Sequence, residues 1–262
     1  MWLRIFVGFT IVALISPILV VIPMSFSSAS FFEYPIPGYS LKWYINFFNN
    51  QEWVVGLLRS LTIAIFTAIL STILGVMASL AVTRLNFWGK KLFMSLMVAP
   101  MIIPVIITGV ALYHSFAPLN LTNSFLGLIL AHSVLALPIV FVTVTASLKG
   151  MDRNLEWAAM GLGSTPIGAF FKVTLPLIRP GVLSGALFAF IISFDEVVVT
   201  IFLGGPNTKT LPIAMWENLR IQVDPTMAAV SSILIVITIV LFLSQELVAV
   251  RKARLKKKYS DN

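Results

Sequence analysis

Asp195 and Glu196 stand side by side within AFIISFDEVVVTIF, a stretch that carries no other charge. Paired carboxylates in such surroundings could serve as an acid/base pair, as part of a metal site, or as a resting place for a cation. Acid/base work needs convergent carboxylates, and adjacent residues of a helix diverge by about 100°. A metal site needs further ligands, yet His114 and His132 have no carboxylate cluster near them in sequence, and there is no cysteine. A lone histidine in an apolar run more often bonds a neighbouring helix. An ionisable group in a membrane span costs about 2.5–3.5 kcal/mol at the centre and usually faces a bundle interior or a water-filled cavity, where a carboxylate suits a cation electrostatically. Gly181, Gly185, Ala189, Ser193, Glu196 and Thr200 recur at steps of three or four. On a helix they share a sector of roughly 120°, with Asp195 on its flank. Ser193, Asp195, Glu196 and Thr200 are therefore the candidate pathway residues. A plainer reading also stands: seven residues separate Glu196 from Leu203, so the pair fits a hydrated span end.

A second cluster of interest is Asn154 to Gly181, NLEWAAMGLGSTPIGAFFKVTLPLIRPG. Leu155, Ala158, Ala159 and Leu162 fall at helical spacing on one face. Asn154 reads as an N-cap and Gly163 as a stop. A second short helix is expected from Thr165, a cap, and Pro166, whose missing N–H costs nothing in the first turn. Ile167, Phe170 and Phe171 give it an apolar stripe, and Leu175-Pro176 should end it. Two amphipathic helices in water must cover those faces, and a partner's groove is one way of doing so.

The rest of the chain must hold these clusters in place. Of 262 residues, 58% are hydrophobic and 11% charged, against about 25% charged in a soluble domain. The chain reads as an all-α integral membrane protein. Runs of about 20 apolar residues are needed to cross a bilayer, and six occur: about 5–24, 60–82, 92–112, 126–148, 182–203 and 228–250. Fourteen of the 18 Lys and Arg fall on one side of this arrangement. The excess puts both termini and the Asn154 segment in the cytoplasm. It also explains the net charge of +8 without nucleic acid. The first run follows Arg4 and exceeds a usual signal core, so an uncleaved anchor is expected. Leu41 to Phe48 suits an interfacial helix, Gly75 and Ser79 a close helix contact, and Pro100 and Pro104 a kink that lines a cavity or merely packs. Leu211 to Leu219 reads as a short outer or re-entrant helix. The basic Arg251–Lys258 tail suits contact with the lipid bilayer.

The Asn154 cluster resembles the coupling loop of bacterial ABC-importer permeases, whose pattern is Glu-Ala-Ala, three residues, Gly, nine residues, then Ile-x-Leu-Pro. Here Ala158, Ala159, Gly163, Leu175 and Pro176 fit the pattern. Trp157 stands where that family has Glu, with Glu156 one residue earlier. The resemblance is nearest to the spermidine/putrescine type, through Ser193 to Val198 and Gly205-Pro206. It implies a single permease domain over 1–262, six transmembrane helices in the type I importer architecture, and a bacterial inner membrane location. It further implies a second permease subunit that is a different chain, two ATP-binding subunits that carry ATP and Mg, and a periplasmic substrate-binding protein. Glu156, Trp157, Ala158, Ala159, Gly163, Leu175 and Pro176 would then couple to the ATPases. The substrate implied is putrescine or spermidine, with an amino acid, opine or phosphonate as alternatives. A non-transporting membrane scaffold is a further class. The chain itself reads as no enzyme and as binding no cofactor of its own: Gly163 to Gly168 has P-loop spacing, but Ala169 follows where Lys is required, and no GxSxG or HExxH occurs.

Overall fold

The computed structural model of the chain describes residues 2–33, 35–221 and 224–240. These are helical throughout, apart from loops and one isolated bridge between Ser27 and Tyr39. In order the helices are α1 (Trp2–Met24), α2 (Lys42–Asn49), α3 (Gln51–Arg84), α4 (Lys90–Val98), α5 (Val105–Phe116), α6 (Phe125–Lys149), α7 (Asn154–Gly161), α8 (Pro166–Ala169), α9 (Leu175–Phe194), α10 (Val198–Leu203), α11 (Leu211–Ile221) and α12 (Thr226–Val240). Among the described residues, four helical stretches are long and apolar enough to cross a membrane: Trp2–Met24, Gln51–Arg84, Phe125–Lys149 and Pro166–Phe194. A bent pair, Lys90–Met101 with Val105–Leu119, makes a fifth if taken as one span. The run expected at 228–250 begins in α12, and its last ten residues lie outside the described ones, as does the basic tail.

Two compact units divide the chain. The first takes in the described residues of Met1–Val54 and Ala214–Asn262. In it α2 packs by its aromatic face: Phe47 is buried, Trp43 Nε1 donates to the Ser27 carbonyl at 2.9 Å, and Tyr44 Oη meets Ser25 Oγ at 2.7 Å. Asn46 Nδ2 donates to Thr226 Oγ1 at 2.9 Å.

The second unit, Val55–Ile213, is built around α6. Small residues let its neighbours approach. A Cβ at Gly185 would lie 3.3 Å from the Val140 backbone, and one at Gly181 only 1.9 Å from Ser147 Oγ. The expected Gly75/Ser79 contact is present, with Ser79 Oγ donating to the Phe141 carbonyl at 3.0 Å. Two apolar clusters line α6. One joins Ala136, Val140, Val144 and Leu148 to Ile178 and Ala189. The other joins Leu128 and Ala131 to Ile63, Val199 and Leu203.

Three expectations change. The kink at Pro100 and Pro104 is a 106° bend between two helical segments. Each proline lacks an amide N–H and crowds the preceding turn, and two so close leave no continuous ladder. Leu175-Pro176 does not end the second short helix. Phe170–Thr174 is one π turn, closed by Leu175 N–H on the Phe170 carbonyl, and α9 continues from it. The wider turn accommodates a proline that cannot bond back to residue 172. The expected continuous run 182–203 is interrupted instead at Asp195–Val197, where α9 stops and α10 begins.

Candidate functional site

The two sequence clusters form two separate sites. Between them lie the 20 residues of α9, about 30 Å of helix.

The first site is α7 and the turn that follows. Asn154 is the first helical residue rather than its cap, and its N–H is received by Asp152 Oδ1 at 2.9 Å. The helix ends as expected at Gly163, whose φ of +89° favours glycine. Gly163 N–H reaches the Met160 carbonyl and Ser164 N–H the Ala159 carbonyl, each at 3.0 Å, a full Schellman closure. Thr165 caps α8 as expected, receiving Gly168 N–H at 3.1 Å. This geometry turns the apolar stripes outward. Leu162 is 90% exposed and Ile167 72%, and Leu155, Trp157 and Phe171 are also exposed. Trp157 lies under the Arg153 guanidinium at 5.1 Å. Ala158 is exposed, Ala159 and Leu175 half-buried, and Pro176 exposed.

Glu156 points the other way. Its Oε1 accepts from Arg84 Nη2 at 2.8 Å and from Thr174 Oγ1 at 2.6 Å. One carboxylate therefore ties α7 to the last residue of α3 and to the π turn that leads into α9. Burial pushes this carboxyl up, but the bonds from Arg84 and Thr174, with the charges of Arg84 and Arg153, outweigh it and hold it below its ordinary value. A cleft of about 670 Å³ opens beside the ion pair, lined mainly by apolar groups such as Met77, Leu80 and Phe170. Sequence reasoning missed Arg84 and Thr174 as partners of Glu156. Arg84 lies 72 residues away, and no local pattern links them.

The second site is the break between α9 and α10. Gly181, Gly185, Ala189, Ser193 and Thr200 are buried, so the small stripe faces inward. Glu196 is half-buried, and its Oε1 receives Val199 N–H at 2.8 Å. Asp195 is exposed. Neither forms an ion pair with a described residue. His132, on α6, is wholly buried and meets both flanks of the break: Nδ1 lies 2.9 Å from Ser193 Oγ and Nε2 3.1 Å from Thr200 Oγ1. The lone histidine thus bonds a neighbouring helix, as expected, and does so twice. His114 is exposed beside Tyr113. The break sits seven residues, about 10 Å, in from the Phe125 end of α6, judged by the level of His132. Chemically, it sets carboxylate charge between the negative C-terminal end of α9 and the positive N-terminal end of α10, whose Val199 N–H Glu196 receives.

Residues 71–254 match the family described as binding-protein-dependent transport system inner membrane component. The spermidine/putrescine transport system permease protein PotC of Escherichia coli K12 is 33% identical over 238 residues, spanning 91% of this chain and 90% of PotC. The putrescine transport system permease protein PotI of the same strain is 33% identical over 235 residues, 87% of this chain and 83% of PotI. Among solved structures, a bacterial ABC transporter involved in import of the acidic polysaccharide alginate aligns with a TM-score of 0.74 at 15% identity, covering 94% of this chain and 93% of that one. This last likeness concerns the fold alone.

Proposed function

The chain belongs to the binding-protein-dependent transport system inner membrane component family, and from that premise we propose that it is the permease subunit of an ATP-driven importer of polyamines. Both relatives named above carry spermidine or putrescine in their descriptions. The observation that carries the cationic reading is Glu196, half-buried beside exposed Asp195 at a helix break, with no described cation paired to either. A carboxylate so placed favours a cation by Coulomb attraction. Ser193 and Thr200 would bound this pathway.

In this reading the chain crosses the bacterial inner membrane six times with both termini in the cytoplasm. It pairs with a second permease, and two ATP-binding subunits dock on α7 and the Schellman turn at Gly163. ATP and Mg are bound there, on the partners, and not by this chain. The exposed Leu155, Trp157, Leu162, Ile167 and Phe171 support that docking, since apolar side chains on a wet surface gain by entering a groove. ATP-driven closure of the ATPases would move α7, and the Glu156 link would carry that motion to α3 and α9. A periplasmic binding protein delivers the solute from the opposite side.

The test is ATPase activity of the complex reassembled in lipid with its binding protein. Putrescine, spermidine, neutral and acidic amino acids and small phosphonates are supplied in turn. Stimulation by the polyamines alone is expected. Stimulation by another class would keep the importer and overturn the polyamine assignment.

A further inference from the structure

We propose that His132 is a positioning residue that holds α9 and α10 at a fixed angle across their break and so aims the Glu196 carboxylate. The inference rests on the reading of Glu196 as a pathway residue.

One assignment for a neutral ring satisfies every side-chain group around the imidazole. Thr200 Oγ1 has one proton and donates it to the Glu196 carbonyl at 2.9 Å. In that arrangement it accepts from His132, and Nε2 carries the ring proton. Nδ1 then accepts from Ser193 Oγ–H, and both ring nitrogens are satisfied. The chain from His132 through Thr200 ends on the peptide carbonyl of Glu196 itself. The carboxylate of that residue is fixed separately, by Val199 N–H. Both holds on Glu196 come from the first turn of α10, and His132 reaches them from α6 through Thr200.

Position excludes a simple packing role. His132 lies between the two apolar clusters of α6, next to Ala131 and one turn before Ala136. An aliphatic side chain would satisfy packing at that depth, whereas a buried polar ring is costly unless bonded on both sides. Among the described residues, its ring bonds the two flanks of the segment where the α9–α10 ladder is interrupted. Ser193 and Thr200 are seven residues apart and would bond no common group on a straight helix; here one ring spans both.

Uptake of radiolabelled putrescine into proteoliposomes holding the full complex tests this, with membrane levels and basal ATPase measured alongside. His132→Leu removes both bonds at similar volume, and His132→Gln keeps one donor and one acceptor. His132→Leu is expected to raise the half-saturating concentration about tenfold with a smaller effect on maximal rate, and His132→Gln to recover most of that loss. His132→Leu combined with Glu196→Gln is expected to be no worse than Glu196→Gln alone, because the aim of an absent carboxylate no longer matters. Multiplicative losses in the double variant would overturn the inference. So would His132→Gln inserting normally yet behaving like His132→Leu; this arm decides the matter should the leucine variant fail to insert. Wild-type half-saturation in Glu196→Gln alone would instead overturn the pathway reading, and this inference with it.

Discussion

Glu156 accepts a guanidinium and a hydroxyl on one oxygen, so its removal strands both. Truncating one partner of a charge-assisted bond costs about 1.5–3 kcal/mol, and Glu156→Ala should therefore loosen α7 from α3 and the π turn. The expected outcome is loss of putrescine-stimulated ATPase and of uptake, with normal insertion. Arg84→Ala should resemble it, and the double variant should be no worse than either. Stability linked to this group follows from its lowered folded pKa: the contribution is fully present above the unfolded value, about 4.3, and is lost as pH falls through the lower folded value. ATPase docking should accordingly be flat with pH from about 5 to 8. A decline centred near neutrality, followed in a docking assay, would assign the effect elsewhere. Glu196 differs, since its bonds are to backbone N–H and no described cation neutralises it. Glu196→Gln should weaken polycation uptake more than Asp195→Asn, because Glu196 is half-buried on the small inward stripe whereas Asp195 lies on its flank. Matched uptake assays with equal or reversed losses would reject that ordering.

Helix ends carry as much of the argument as helix bodies. Gly163 closes α7 with a positive φ that costs an L-residue roughly 1–2 kcal/mol, and its Schellman bonds turn Leu162 outward. Gly163→Val should keep the protein in the membrane but reduce co-purification of the ATPase, as measured by subunit ratio in the isolated complex. An unchanged ratio with normal uptake would favour a scaffold over a coupled permease. These end signals were legible: Gly163, Thr165 and Pro166 act through the local backbone, which is what short-range spacing encodes. The continuation through Leu175-Pro176 is not, because a proline after a short amphipathic run has the pattern of a terminator and a π turn leaves no separate mark in the sequence. The break at Asp195–Val197 was hidden for a similar reason. A continuous 100° wheel placed Ser193, Glu196 and Thr200 on one stripe, and the ends of that stripe are indeed buried, but the ladder between them is interrupted. The imidazole that bonds both flanks is 61 residues from Ser193, beyond any local periodicity.

For the whole molecule, hydropathy located the apolar runs because bilayer thickness fixes their length. It did not give their shapes, since the 106° bend and the α9–α10 interruption keep the apolar composition of a straight span. This makes the number of crossings after α7 a question of geometry rather than composition. From Leu162 the chain passes through α9, the break, α10, α11 and α12 to the basic tail. If α9 with α10 crosses once and the run beginning with α12 crosses once more, Leu162 and Ser260 lie on the same side. If the chain turns back at the break, they lie on opposite sides. The absence of cysteine from this sequence makes the test clean, because each introduced thiol is this chain's one target for an impermeant maleimide. Asn120→Cys, between α5 and α6, should label in intact cells. Leu162→Cys and Ser260→Cys should label only after permeabilisation, as the excess of Lys and Arg near both requires. Labelling of Ser260→Cys from outside, with Leu162→Cys still protected, would make the break a re-entrant turn. Glu196 would then line the mouth of the pathway rather than its wall.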